Sequence, residues 1–132
     1  MRALEGIRVV ELATYVAAPS GGRVLADWGA EVIKVESPKM DIWRTYGKTF
    51  NGPASDEENP IFDVPNANKK NLCLDLKNPE AMAAFHKLLA TADVFITNNR
   101  PKPLKRMGLD YESLKAKYPK LICGYVTGYG ED

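Results

Sequence analysis

The spacing of two short apolar runs near the amino terminus constrains the fold of this chain most strongly. The first run is IRVVEL at Ile7–Leu12, and the second is GAEVIKVE at Gly29–Glu36. Both are typical of strands, and the segment between them has room for one helix, with Gly29 suited to its carboxyl end. Two strands joined by a helix within about 30 residues indicate a parallel βαβ unit, which binds ligands at the carboxyl ends of its strands.

The alternation of strand and helix signals continues along the chain. Further strands are predicted at residues 71–76, 92–97 and 121–127, and helices at residues 21–28, 79–90 and 110–118. Asn78 before Pro79 marks one helix start, Asp110 marks another, and Ser20 is the candidate cap of the first helix. This order of elements predicts an α/β fold, Rossmann-like, with a mainly parallel sheet and flanking helices.

Residues 37–68 interrupt the regular pattern. They are rich in Pro, Asn, Gly and mixed charge and show no sustained period. We therefore expect a long irregular excursion within a single domain that covers residues 1–132. Loops of this size are commonly functional or wrapped on a partner, and a solvated linker is the alternative. Aromatic residues such as Trp43, Tyr46 and Phe50 favour a packed loop.

Composition narrows the class of protein. The 132 residues carry a formal net charge of +1, which argues against a nucleic-acid partner. No stretch approaches the roughly 18 apolar residues of a membrane span, and residues 1–12 lack the long apolar run of a secretion signal, so neither secretion nor a membrane partner is expected. Cys73 and Cys123 lie in apolar runs without metal-type spacing. We expect reduced, buried thiols in a cytoplasmic protein, with a disulfide as the alternative.

The residues themselves favour ligand binding over catalysis. A βαβ unit ending in Glu36 suits a dinucleotide, but the G-x-G-x-x-G fingerprint is missing. A phosphate-bearing ligand is the second hypothesis, because basic residues are expected at strand ends, with solvated surface as the alternative. These residues are Lys69, Lys70, Lys77, Arg100 and Arg106.

Gly21 and Gly22 either belong to an anion site at a helix start or allow close packing of the helix on the sheet. With His86 the only histidine, neither a nucleophile constellation nor a metal site is predicted.

Most of the chain resembles one known family. Residues 4–38, 66–80, 92–122 and 126–131 are similar to the amino-terminal portion of family III CoA-transferases, the formyl-CoA transferase-like group that also includes acyl-CoA racemases. The motif GAEVIKVE is among the most specific parts of the match. Residues 49–59, 96–100 and 109–121 most resemble the subgroup that acts on aryl- or alkyl-2-hydroxy acids.

The resemblance implies a site for coenzyme A or an acyl-CoA on four separate segments of the chain. The implied residues are Val16, Ala17, Leu74, Asp75, Leu76, Lys77, Asn98, Asn99, Arg100 and Arg106. The backbone of the first two would line the CoA, and residues 74–77 would lie along its adenosine end. Residues 98–100 would flank the pantetheine and pyrophosphate, and Arg106 would pair with a phosphate.

The resemblance also implies an activity and partners. Family members transfer CoA from an acyl-CoA to a carboxylic acid through covalent intermediates on an aspartate. No acid of this sequence aligns with that aspartate, so we expect the catalytic residue beyond residue 132 and an inactive fragment. A homodimer is expected for the full-length protein. An acyl-CoA racemase of the same group and a non-catalytic nucleotide-binding or interaction module are the alternatives.

Overall fold

Five parallel strands form the central sheet of the computed structural model, which describes residues 2–130. The strands are β1 (Arg8–Leu12), β2 (Glu31–Glu36), β3 (Lys70–Cys73), β4 (Val94–Thr97) and β5 (Ile122–Tyr125). Their order across the sheet is β3-β2-β1-β4-β5, and every neighbouring pair is parallel. The predicted α/β fold with a parallel sheet is therefore confirmed. Met1, Glu131 and Asp132 of the predicted domain lie outside the described residues.

Within residues 2–130, six α-helices and one 3-10 helix accompany the strands. The α-helices are α1 (Ala17–Asp27), α2 (Trp43–Tyr46), α3 (Pro60–Asn66), α4 (Pro79–Leu89), α5 (Pro101–Met107) and α6 (Tyr111–Lys117), and the 3-10 helix is Gly47–Phe50. Parallel strands require such crossovers, because the chain must return to the same end of the sheet before each new strand.

The larger core lies between the sheet and helices α4, α5 and α6. Phe85 and Leu89 of α4, Leu104 of α5 and Leu114 of α6 pack on strand residues that include Phe95. Each of these side chains is almost completely buried. The apolar spacing of α4 explains its orientation, since residues three or four apart lie on one face of a helix.

Helix α1 covers only part of the opposite face of the sheet. Ala26 packs there with Val9 of β1 and Val32 of β2. Helix α3 packs against α1 and extends this layer. On the same face, Ile122 of β5 is 66% exposed beside its register partner Val94.

The structure corrects five local predictions. Helix α1 begins at Ala17, and its cap position is Val16 rather than Ser20. The excursion 37–68 contains α2, the 3-10 helix and α3, and the segment after Arg100 forms the helix α5. Cys73 and Cys123 are free, but Cys73 is exposed because β3 is an edge strand. Leu74–Leu76 of the predicted strand 71–76 lie beyond the end of β3.

The predicted helix caps are confirmed for two other helices. Asn78 Oδ1 accepts the Glu80 amide over 2.8 Å at the start of α4, where Pro79 occupies the first turn. Asp110 Oδ1 accepts the Ser113 amide over 3.3 Å at the start of α6. Gly29 follows α1 with a φ of +106°, a conformation that favours glycine.

Candidate functional site

A crevice at the carboxyl edge of the sheet is expected where the chain reverses the direction in which strands are added. In the sheet, β2 lies beside β1 and β3 lies beside β2, toward one edge. The next strand in the sequence, β4, lies on the other side of β1. The loops after β1 and β4 leave the sheet side by side at this point. Ligands of open parallel sheets bind at such a position, so these loops define the candidate site.

Two asparagines after β4 hold the loop after β1. Asn98 Oδ1 accepts the Thr14 amide over 3.0 Å, and Asn98 Nδ2 donates to the Thr14 carbonyl over 2.8 Å. Asn99 Nδ2 donates to the Leu12 carbonyl over 3.0 Å. The amides of both side chains are therefore engaged with the protein, which fixes the spacing of the two loops.

Two charged side chains hold the same loop from the β2 side. Lys34 Nζ donates to the Ala13 carbonyl over 2.8 Å, and Asp41 Oδ1 accepts the Tyr15 amide over 3.1 Å. Tyr15 has a φ of +63°, a left-handed conformation that costs a non-glycine residue about 1–2 kcal/mol. The bond to Asp41 helps to hold this conformation immediately before Val16, the cap residue of α1.

A buried cluster of opposite charges lies beneath this loop. Glu11 and Lys34 are register partners on β1 and β2, and both are fully buried. Glu11 Oε2 accepts from Lys69 Nζ over 2.8 Å, and Glu11 Oε1 lies 3.4 Å from Lys34 Nζ. Lys34 Nζ also lies 3.0 Å from Asp41 Oδ2, an ion pair without hydrogen-bond geometry at that oxygen. The two lysines and two carboxylates balance one another in charge.

Burial shifts the titration of one ion pair in this cluster. Burial raises the pKa of the Glu11 carboxyl above its ordinary value, and the charges of Lys69 and Lys34 oppose part of the shift. Burial lowers the pKa of the Lys69 ammonium, which the Glu11 charge partly opposes. Each group is therefore costly to bury as an ion and depends on its partner.

Glu36 at the end of β2 is occupied by protein partners. Its carboxylate accepts from Arg44 Nε over 2.9 Å and Arg44 Nη2 over 2.7 Å, and also from the Asp41 amide and the Asn71 side chain. Burial alone would raise the pKa of Glu36, but the hydrogen bonds from Arg44, Asp41 and Asn71 together with the Arg44 charge outweigh burial and lower the pKa. Glu36 therefore has a structural role, because its carboxylate oxygens already accept hydrogen bonds from the protein and are not free to accept one from a ribose hydroxyl.

A positively charged groove extends from the loop after β4. It has a volume of about 670 Å³ and lies between that loop, helix α5 and the segment after β5. Four of the predicted site residues line it: Asn98, Asn99, Arg100 and Arg106. Lys102 adds a third cation, and among the described residues none that lines the groove is acidic. The side chains of Arg100 and Arg106 are exposed and form no ion pair with another described residue.

The other predicted CoA-binding residues lie outside this groove. Val16 and Ala17 are exposed at the start of α1, beside the loop held by Asn98. Residues 74–77 follow β3, at the far edge of the same end of the sheet. Leu74 and Leu76 pack against the larger core, whereas Asp75 and Lys77 are exposed. The structure therefore brings four predicted residues into one groove, places two beside it and leaves four at the other edge.

Two of the basic residues proposed as phosphate ligands are wrongly placed for that role. Lys69 is buried in the ion pair with Glu11, and Lys70 begins β3 and pairs with Glu31. Lys69 precedes β3 and Lys70 is its first residue, so both lie at the amino end of the strand. Gly22 approaches the same cluster: a Cβ at this position would lie 1.9 Å from Glu11 Oε2. This contact supports the packing alternative for Gly22.

The remaining titratable residues suggest no second centre. His86 Nδ1 lies 3.0 Å from the Tyr118 hydroxyl, and that hydroxyl donates to the His86 carbonyl. Among residues 2–130, no group of three or more His, Cys, Asp or Glu side chains is placed to hold a metal ion. Within the same range, no helix is both long and apolar enough to cross a membrane.

A comparison with protein families decides the identity of this fold. The sequence profile described as CoA-transferase family III matches residues 4–132. The chain belongs to this family. The resemblance predicted from the motif GAEVIKVE and its flanking segments is thereby confirmed.

Two curated family III relatives indicate the subgroup. The chain is 49% identical to the (R)-2-hydroxy-4-methylpentanoate CoA-transferase of Clostridioides difficile, over 97% of this chain and 32% of that protein. It is 51% identical to the cinnamoyl-CoA:phenyllactate CoA-transferase of Clostridium sporogenes, over 96% of this chain and 31% of that protein. The predicted similarity to the 2-hydroxyacid subgroup is confirmed. The chain spans about a third of the length of these relatives.

Solved structures share the same fold. A CAIB/BAIF family protein from Brucella suis superposes with a TM-score of 0.89 at 40% identity, over 99% of this chain and 35% of that chain. A hypothetical protein from Mycobacterium tuberculosis gives a TM-score of 0.87 at 33% identity, over 100% of this chain and 35% of that chain. The fold of this chain is therefore shared with these proteins over 99% and 100% of its length.

Sequence reasoning missed the residues that hold the loop after β1. Glu11, Lys34 and Asp41 were not among the predicted site residues. A signal for two of them was present, because Glu11 and Lys34 are charged residues inside otherwise apolar strands. Charged side chains are rarely buried unless they are paired, so their occurrence in such strands indicates a buried ion pair.

Proposed function

We propose that this chain is the amino-terminal, CoA-binding portion of a family III CoA-transferase. The proposed reaction transfers CoA from an acyl-CoA to a carboxylic acid, and the proposed acceptor class is the 2-hydroxy acids named for the two relatives. In this proposal, residues 1–132 form a Rossmann-like CoA-binding domain that includes the excursion 37–68.

The charge of the groove is the observation that carries this proposal. Arg100, Lys102 and Arg106 line it, and none of its lining residues within the described range 2–130 carries a carboxylate. CoA is anionic at its phosphates, and guanidinium groups bind phosphate oxygens through directed, charge-assisted hydrogen bonds. A groove of about 670 Å³ falls in the size range of small-molecule sites.

The residues of this chain would bind and orient CoA rather than form the covalent intermediate. We propose that Arg106 pairs with a phosphate and that Arg100, Asn98 and Asn99 flank the pyrophosphate and pantetheine. The backbone at Val16 and Ala17 would line the CoA. Residues 74–77 would contribute at the adenosine end, where Lys77 provides an exposed charge.

Chemistry in the proposed enzyme would take place on an aspartate outside these 132 residues. Its carboxylate oxygen would attack the thioester carbonyl of the acyl-CoA, which gives a mixed anhydride and releases the CoA thiolate. The thiolate would then attack the aspartyl carbonyl and release the first carboxylic acid. The acceptor acid would take up CoA by the same two steps in reverse. A homodimer and a cytoplasmic location are part of this proposal.

Calorimetric titration with CoA tests the binding proposal. We expect the 132-residue chain to bind CoA and to bind NAD more weakly, because the dinucleotide fingerprint is missing. Arg106→Ala should weaken CoA binding by about 1–3 kcal/mol, the size of a lost charge-assisted contact.

The matched control for Arg106→Ala is Lys120→Ala. Lys120 is an exposed cation just before β5, at the opposite end of the sheet. Its loss should leave CoA affinity unchanged. Equal weakening in both variants would indicate non-specific attraction of an anion, and no weakening in Arg106→Ala would remove this residue from the site.

A further inference from the structure

Four backbone groups in three consecutive residues of one loop are held by distant side chains. Lys34 bonds the Ala13 carbonyl, Asn98 bonds the amide and the carbonyl of Thr14, and Asp41 bonds the Tyr15 amide. These partners come from β2, from the segment after β2 and from the segment after β4. The loop is thus hydrogen-bonded on one side to β2 and the segment after it, and on the other side to the segment after β4.

Asp41 has the most specific geometry among these partners. It is 1% exposed, and its Oδ1 accepts the Trp43 amide over 3.0 Å in addition to the Tyr15 amide. Its own amide donates to Glu36 Oε2 over 2.8 Å. Asp41 therefore couples the loop after β1 to the end of β2 and to the start of α2.

The buried charges are better suited to fixing a geometry than to stabilising the fold. Replacing a buried ion pair with well-packed apolar residues is often neutral or stabilising. Apolar side chains at positions 34 and 41 could fill space but could not bond the Ala13 carbonyl or the Tyr15 amide. The left-handed Tyr15 immediately precedes Val16, which supplies no side-chain cap for the first amides of α1.

We propose that Asp41 is a positioning residue for CoA binding. By holding the Tyr15 amide, it fixes the direction in which the Val16 and Ala17 backbone faces the ligand. Lys34 neutralises Asp41 within the fold and fixes the preceding carbonyl. This inference rests on the proposed CoA site, because its effect is exerted through loop residues that would touch CoA.

Two double variants of the 132-residue chain test the hydrogen bond from the Tyr15 amide to the side chain at position 41. Lys34→Met with Asp41→Asn keeps a side-chain acceptor for the Tyr15 amide, and Lys34→Met with Asp41→Ala removes it. Neither variant leaves an unpaired ion at these two positions, and both retain the Glu11–Lys69 pair. Leu114→Ala, a core truncation in α6, controls for a general loss of stability.

Amide hydrogen exchange and CoA titration provide separate readouts. We expect a protected Tyr15 amide in the unmodified chain and in the asparagine variant. Both double variants lack the Lys34 bond to the Ala13 carbonyl, so the asparagine variant is the reference for CoA affinity. In the alanine variant, we expect the protection to be lost and CoA to bind about tenfold more weakly than in the asparagine variant, the scale of one freed backbone residue. Leu114→Ala should keep the wild-type affinity and Tyr15 protection.

The outcomes separate this inference from the proposed function. If the unmodified chain does not bind CoA, the proposed function is refuted and the positioning role with it. If the chain binds CoA and the alanine variant binds it as tightly as the asparagine variant does, only the positioning role is refuted. Loss of cooperative unfolding in either double variant would assign the cluster to folding and would also overturn the positioning role.

Discussion

Gly22 is the position at which a single methyl group should test the buried charge cluster. Helix α1 approaches β1 so closely that a Cβ at Gly22 would lie 1.9 Å from Glu11 Oε2 and 3.3 Å from Lys69 Nζ. A Cβ at Gly21, the adjacent residue in the same helix, would instead point into open space, with no packing neighbour within 4 Å. The two glycines therefore form a matched pair with the same chemistry and opposite surroundings.

The expected effect of Gly22→Ala follows from three contributions. Overpacking of a filled interior costs about 1–3 kcal/mol. Displacing Glu11 from its 2.8 Å contact with Lys69 adds part of the roughly 3–5 kcal/mol that a broken buried ion pair costs. Alanine is more favourable than glycine in a helix interior by about 1 kcal/mol, which offsets part of this loss. We expect a net loss of about 2–4 kcal/mol in the free energy of unfolding.

Urea denaturation followed by circular dichroism measures this difference. Gly22→Ala should lower the urea midpoint with little change in slope, because the surface exposed on unfolding is similar. Gly21→Ala should raise the free energy of unfolding by up to about 1 kcal/mol, since only helix propensity changes. Equal stability of the two variants would refute the close approach of α1 to Glu11 and with it the reasoning for the cluster.

Two further predictions concern pH. The pKa of Glu36 is lowered from 4.5, so its contribution to stability is present above pH 4.5 and is lost as pH falls through the lowered value. Urea midpoints of Glu36→Gln should therefore fall less steeply with acid than those of the wild type, and a parallel decline would contradict this. Burial and then the Lys117 charge lower the pKa of His86 from 6.5, so protonation opposes folding below pH 6.5. Titration of the His86 ring followed by NMR should give a pKa below 6.5, and a value at or above 6.5 would refute this.

Local sequence signals were sufficient for most of the fold. The strands were found because runs such as IRVVEL are apolar and β-branched, and the caps at Asn78 and Asp110 act within three residues. Helix α5 was missed because Pro101 and Pro103 suggest a loop. Prolines are tolerated in the first turn of a helix, where amides have no intrahelical partner.

The candidate site was only partly predictable, because its geometry depends on long-range contacts. The family resemblance gave Asn98, Asn99, Arg100 and Arg106, which line one groove. No periodic pattern could have paired Asn98 with Thr14, since 84 residues separate them. The same holds for the errors at Lys69 and Lys70, whose partners Glu11 and Glu31 lie 58 and 39 residues earlier in the sequence.

The central position of β1 has a consequence for the order in which the protein folds. Its pairing with β2 closes a short segment, whereas its pairing with β4 joins residues 85 apart, as the bond from Thr97 to Leu12 does. Closing the longer loop costs more chain entropy, so we expect the β1–α1–β2 unit to form first. During synthesis, the Asn98 contact with Thr14 cannot form until residue 98 has left the ribosome. The loop after β1 should therefore acquire its final shape late, after the strand that carries it is already in place.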